Sequence, residues 1–215
     1  MKLIEITRYL VFIAEYSIAI PILIAIIFRA YRQKELKILF IGLCATFIVD
    51  IVTGLFFLSM KYATLYIFSA IEILTMTLMF SAALPKSPLS KTIRLMGFVM
   101  LPFIALDAFF WSGTDDNGYS ITVVILMITA MAIHYLARLF KDTRTSNLTL
   151  EPLFWICIGL IINGAIGFFD VFSKPILTYS QNLYLQYYMI WSIAAIFMYS
   201  CFAYAFWLAR RQYQG

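Results

Sequence analysis

The chain has 215 residues, of which 63% are hydrophobic, 18% aromatic and only 13% charged. A soluble domain is roughly half apolar and about a quarter charged, so this composition excludes a water-soluble globule and makes the lipid bilayer the solvent for most of the chain. The net charge of +5 would suggest nucleic acid in a soluble protein, but here the basic residues sit in short loops beside apolar spans, which ties them to membrane orientation and leaves no role for nucleic acid.

Seven apolar segments follow one another, at about 8–28, 38–58, 64–84, 95–111, 119–140, 152–172 and 182–208. Each is near the ~20 residues that cross about 30 Å of hydrocarbon as a helix. Strands are excluded because a lone segment in lipid must satisfy its own backbone hydrogen bonds. The prediction is therefore an all-α, polytopic membrane protein of seven transmembrane helices forming one helical-bundle domain over 1–215. The first segment has no small-residue cleavage site and ends in a basic loop, so it reads as a span and not as a signal peptide. It contains Glu15, Tyr16 and Pro21. The second carries Cys44, Asp50 and Thr53, and the third Tyr66, Ser69 and Glu72. The fourth holds Pro102, Asp107 and Trp111, and the polar turn SGTDDNG follows it. The fifth contains the lone histidine, His134. The sixth opens on Pro152, which suits a first helical turn, and carries Trp155, Cys157, Asn163, Asp170 and the small residues Gly159, Gly164, Ala165 and Gly167. The seventh contains Tyr187, Tyr188, Cys201 and Trp207. Pro21 and Pro102 lie inside helices and should kink them. Trp111, Trp155 and Trp207 are placed as interfacial belt residues.

The loops alternate in charge. Arg29, Arg32, Lys34, Lys37, Lys86, Lys91, Arg94, Arg138, Lys141, Arg144, Arg210 and Arg211 fall on one side, against Lys2, Arg8, Lys61 and Lys174 on the other. Basic residues accumulate in cytoplasmic loops, so the N-terminus is expected outside and the C-terminus in the cytoplasm.

Five carboxylates lie within or at the ends of the spans: Glu15, Asp50, Glu72, Asp107 and Asp170. A charge near the bilayer centre costs at least ~2.5 kcal/mol and needs a partner, water, a proton or a purpose. With the orientation above, Glu15, Asp50 and Glu72 are expected roughly 10–12 Å below the outer boundary at 1.5 Å per residue. Asp107 and Asp170 are expected nearer the outer ends. No lysine or arginine lies at that depth in sequence. Glu72, Asp50 and Glu15, with Asn163 as a polar helper, are therefore the candidate lining of an outward-facing pocket for a small cationic or polar ligand. The competing reading is that each acid bonds a neighbouring helix and fixes the packing. Asp107 and Asp170 read most simply as interfacial.

Other chemistry lacks its parts. The cysteines form no CxxC pattern and read as small apolar packing residues. One histidine cannot supply bis-histidine haem ligation or a multi-histidine metal site, so no cofactor is expected and a metal at the acids stays open. The last segment has no lysine to hold a retinal. Hydrolase, metalloprotease and nucleotide-binding motifs are missing. The expected protein is non-enzymatic. It senses or binds its ligand and passes a signal to a separate membrane or cytoplasmic partner through the basic segments 29–37 and 138–145. A proton- or cation-coupled transporter, a lipid-modifying enzyme and a structural subunit of a membrane complex are the alternatives.

Three stretches carry a resemblance: LYIFSAIEILTMTLMF around Glu72, EPLFWICIGLIINGAIGFF in the sixth segment, and the pattern from Tyr184 to Trp207. In these the chain resembles a family of small, uncharacterised seven-helix integral membrane proteins common in Bacteroidetes-type bacteria. The resemblance implies fold and compartment, and an acid in the second helix, where Asp50 stands.

Overall fold

A computed structural model describes residues 3–56, 61–84, 88–111, 119–141, 147–177 and 180–211. Among them all regular structure is helical and there is no strand. The helices are α1 (Leu3–Tyr16), α2 (Ala19–Phe28), α3 (Lys34–Phe56), α4 (Lys61–Ala83), α5 (Pro88–Leu106), α6 (Tyr119–Lys141), α7 (Pro152–Leu177) and α8 (Gln181–Arg211). Short 3-10 turns cover Ala30–Arg32 and Leu148–Leu150, and a π turn, Asp107–Trp111, continues α5. Among the described residues six helical segments are long and apolar enough to cross a membrane: Leu3–Phe28, Lys34–Thr53, Thr64–Ala83, Leu89–Trp111, Tyr119–Lys141 and Gln181–Arg210. The described apolar stretch of α7, Pro152–Phe168, is shorter. Every predicted segment thus corresponds to helix, and α7 opens on Pro152 as expected. The predicted SGTDDNG turn lies outside the described residues.

The expected kink at Pro21 takes the form of a break between α1 and α2. Proline has no N–H, so the carbonyl of Ser17, four residues earlier, loses its helical donor. That carbonyl instead accepts from the Ile20 N–H at 3.1 Å, and the Ser17 hydroxyl donates to the Ala14 carbonyl at 2.6 Å. The unpaired backbone groups that a break creates in lipid are thereby partnered locally. Pro102, by contrast, sits inside an unbroken α5. The helix widens into its π turn one turn later.

By contacts the chain divides into two compact units: 1–30 with 132–215, and 31–131. The division falls within α6.

In the first unit α8 is central, packed against α1, α2 and α7. Among its buried residues Ala194, Met198, Cys201, Ala205 and Ala209 follow one another at steps of three or four, one stripe of a helix. Small residues in that stripe let neighbours approach closely, which matters where lipid tails are as apolar as leucine and association rests on packing. Gly159 of α7 exploits this: a β-carbon there would lie 3.1–3.2 Å from Met198 and Cys201. Trp155, Tyr204 and Trp207 form one aromatic cluster, with Trp155 edge-on to Tyr204 and Trp207 stacked on it. The Arg210 guanidinium lies 4.7 Å over the Phe28 ring, so α2 and α8 end on the same side.

In the second unit α3, α4 and α5 pack in succession, with α4 in the middle. Two threonines of α4 press onto glycines on either flank: Thr75 against Gly42 of α3, and Thr77 against Gly97 of α5. A β-carbon at either glycine would overlap the threonine side chain, so both helix pairs are held at a separation only glycine permits.

Candidate functional site

Glu72 occupies the middle of α4, eleven residues from each end. Ser69, Met76 and Met79, at spacings that share its face, are all buried. Glu72 is half-buried among them. Its carboxyl therefore leaves the packed side of the helix, away from the exposed Ile67 and Leu78. Ser69 and Thr75 place hydroxyls one turn to either side of it. Among the described residues Glu72 accepts no hydrogen bond and has no ion-pair partner.

Asp50 stands on α3, the neighbour of α4, and is also half-buried with no such partner among the described residues. The contact of Gly42 with Thr75 fixes the antiparallel register of these helices. Asp50 lies eight residues beyond Gly42, and Glu72 three residues before Thr75. Glu72 is accordingly about 7.5 Å further than Asp50 from the α3–α4 connection, at 1.5 Å per residue. The two acids are on one helix pair but not level, whereas equal depth was expected from the apolar segment limits.

The other two candidates belong to the first unit. Glu15 is on α1 and exposed. Asn163 is on α7, and its side-chain oxygen is buried with no hydrogen-bond partner among the described residues. The hydroxyl-bearing residues of these spans divide similarly. Tyr66 and Ser69 are buried on α4. Thr53 donates to the Val49 carbonyl of its own helix at 2.6 Å. Tyr187 and Tyr188 join Tyr184 and Trp191 in an aromatic cluster on α8. The side chain of Asp170 lies outside the described residues.

Asp107 is fully buried in its π turn, and its carboxylate accepts the Ser120 N–H at 2.6 Å. Ser120 is the second residue of α6, whose first-turn amides have no partner within the helix. The acid thus caps another helix and sits at its positive end. The acid expected at the interface thus has a structural contact inside the fold.

Sequence reasoning missed a second polar group. At the far end of α4 the buried Ser81 and Ser90 hydroxyls lie 3.1 Å apart, and Ser90 donates to the Ser81 carbonyl at 2.9 Å. With that proton committed, the Ser81 O–H donates to Ser90. Both lone pairs of Ser81 then receive Arg94, through Nε at 3.1 Å and Nη2 at 2.9 Å. The only sequence signal was an arginine on α5 placed where its side chain could reach the end of its neighbour.

No group of three or more histidine, cysteine, aspartate or glutamate side chains that could hold a metal ion occurs among the described residues. What the second unit offers is one unpartnered carboxyl halfway along a packed apolar helix, flanked by hydroxyls. No family model, no curated protein and no solved structure matches the chain.

Proposed function

We propose that the chain is a polytopic protein of the bacterial cytoplasmic membrane that binds a small cationic or polar ligand at Glu72. In this reading it crosses seven times, with its N-terminus outside and its C-terminus inside, and belongs to the seven-helix family whose helix patterns it resembles. The observation that carries the reading is the Glu72 carboxyl. It sits halfway along α4, on the packed side, with no described partner. A carboxyl so placed in a span is expensive to keep, and structures retain such groups chiefly where they serve binding or transport. Ser69 and Thr75 supply oxygens for a hydrogen-bonding cation or amine. Asp50, displaced toward the α3–α4 connection, would meet the ligand on its way in from the outer side. With no three-acid cluster among the described residues, a monovalent organic cation or amine fits better than a dehydrated metal ion, which takes several oxygens at once. The protein acts without catalysis and passes its state to a separate partner at the basic segments 29–37 and 138–145.

The mid-helix position favours one further reading. Substrate sites of secondary transporters lie near the bilayer midplane, reachable from either side in turn. A transporter would use the same carboxyl.

The test is the melting temperature of the detergent-purified protein against a panel of organic amines, sodium, calcium and magnesium. A ligand that binds only the folded state raises it by mass action. One amine or cation is expected to stabilise the wild type, Glu72→Asp less, and Glu72→Gln not at all. No shift with any ligand, together with a neutral or stabilised Glu72→Gln, would sink the binding reading and leave Glu72 as a packing residue. Uptake of the identified ligand into reconstituted liposomes separates the transporter from the receptor.

A further inference from the structure

We propose that Arg94, held by Ser81 and Ser90, is the headgroup seat of an anionic phospholipid in the leaflet at the α4–α5 end of the second unit. The proposal is independent of the Glu72 reading. Its basis is a guanidinium fixed from behind. Ser81 takes two of the five N–H donors of Arg94, at 3.1 and 2.9 Å, and is itself locked by Ser90. Both serines are buried, whereas Arg94 is exposed. Among the described residues three N–H donors therefore remain without a partner, on the outer edge of a guanidinium whose orientation is already set. Two parallel N–H groups match two oxygens of a phosphate, a match that a lysine ammonium cannot make. The exposed Lys91 lies one turn closer to the helix start on the same side of α5 and adds a second positive charge.

What covers this cation is indicated by the surface below it. Leu95 and Phe98 continue the face of Lys91 and Arg94, and both are exposed, as is Val99 beside them. A soluble anion needs no such strip. A phospholipid does: its phosphate would meet Arg94 and Lys91 while an acyl chain runs along Leu95 and Phe98 toward the middle of the span. Charge complementarity selects a headgroup with net negative charge over a zwitterionic one. The side chain of Arg94 also points in the required direction, because helical side chains tilt toward the helix N-terminus and so toward the membrane surface.

The experiment adds phosphatidylglycerol or phosphatidylcholine to the detergent-solubilised full chain and follows melting temperature against lipid concentration. Phosphatidylglycerol is expected to stabilise the wild type and phosphatidylcholine to leave it unchanged. Arg94→Gln should need roughly tenfold more phosphatidylglycerol or more, the loss that a charge-assisted hydrogen bond accounts for. Arg94→Lys should not restore the response, because the fork is lost. Ser81→Ala keeps the charge and should still weaken the response, and it serves as the deciding variant if Arg94→Gln fails to fold. Arg32→Gln, a neutralisation elsewhere in the same unit, should respond as wild type. An equal loss in Arg32→Gln would overturn the proposal in favour of diffuse surface charge. Equal stabilisation by glycerol phosphate would overturn the lipid as occupant. A wild-type response in Ser81→Ala and Arg94→Lys would overturn the fixed guanidinium.

Discussion

The carboxylate of Asp107 is wholly buried, and its 2.6 Å hydrogen bond from the Ser120 N–H is one that no water can replace. Removing a buried acceptor leaves the donor unsatisfied, which costs about 1–3 kcal/mol. Asp107→Ala should therefore lower the melting temperature of the purified protein clearly, and Asp107→Asn, which keeps an oxygen for the Ser120 N–H, should cost less. Equal effects of the two would mean that the charge at the start of α6 matters more than the hydrogen bond. The contrast with Glu72 is instructive, because in sequence the two acids look alike: each is a lone carboxylate in an apolar run. What separates them is the residue opposite. Ser120 lies thirteen positions on from Asp107 and in the next helix, and no local pattern announces a cap that comes from a different helix. Glu72 and Asp50 were legible as candidates because an ionisable residue in a span is itself the signal. Their offset was not, because relative depth depends on where each helix starts, and α4 begins at Lys61, ahead of the apolar run that marks it in sequence.

At the scale of elements, α4 carries the second unit because it is gripped on both flanks. Its threonines meet Gly42 and Gly97 so closely that a methyl group at either glycine would collide with a side chain attached directly to a helix backbone. Overpacking of this kind costs typically 1–3 kcal/mol. Gly42→Ala and Gly97→Ala should each destabilise the protein by about that amount in a denaturation series, whereas Ala at an exposed α5 position such as Met96 should be nearly silent. Thr75→Ala removes the two atoms nearest to the added methyl but not the β-carbon, so it should recover only part of the Gly42→Ala loss. A fully additive double variant would show that the two residues do not touch. Helix existence was legible throughout, since apolar length alone demands a helix in lipid. Helix termination was less so. Pro21 marks the α1–α2 break because a missing N–H acts on the carbonyl four residues back, here Ser17. Pro102 carries the same signal yet lies within a continuous α5, whose irregularity appears as the π turn from Asp107 to Trp111. The burial of Asp107 accompanies that turn, and burial is a tertiary fact.

For the molecule as a whole, the charge asymmetry of the loops makes a prediction that side-chain contacts alone do not. Arg210 packs on Phe28, so α2 and α8 finish on one side of the first unit. Two spanning helices that end on the same side run in the same direction, which requires an odd number of crossings between them, as the five from α3 to α7 would be. This agrees with the first and last of seven spans both running from outside to inside. The short described apolar length of α7 is the point at which six crossings compete with seven. Six crossings would put the two chain ends on one side of the membrane, and seven put them on opposite sides. Cysteine accessibility in intact cells separates these cases. The native cysteines are little exposed, with Cys157 and Cys201 buried and Cys44 half-buried, so a membrane-impermeant maleimide should label the wild type weakly. Thr114→Cys, between α5 and α6, and Ser180→Cys, between α7 and α8, should both label from outside. Thr143→Cys, between α6 and α7, should label only after the cells are opened. That pattern requires α7 to cross, because Thr143 and Ser180 then lie on opposite sides of it. If Thr143→Cys and Ser180→Cys label alike, α7 does not span, and the C-terminus moves to the outside. The basic residues Arg210 and Arg211 would then stand against the cytoplasmic preference that orients every other loop.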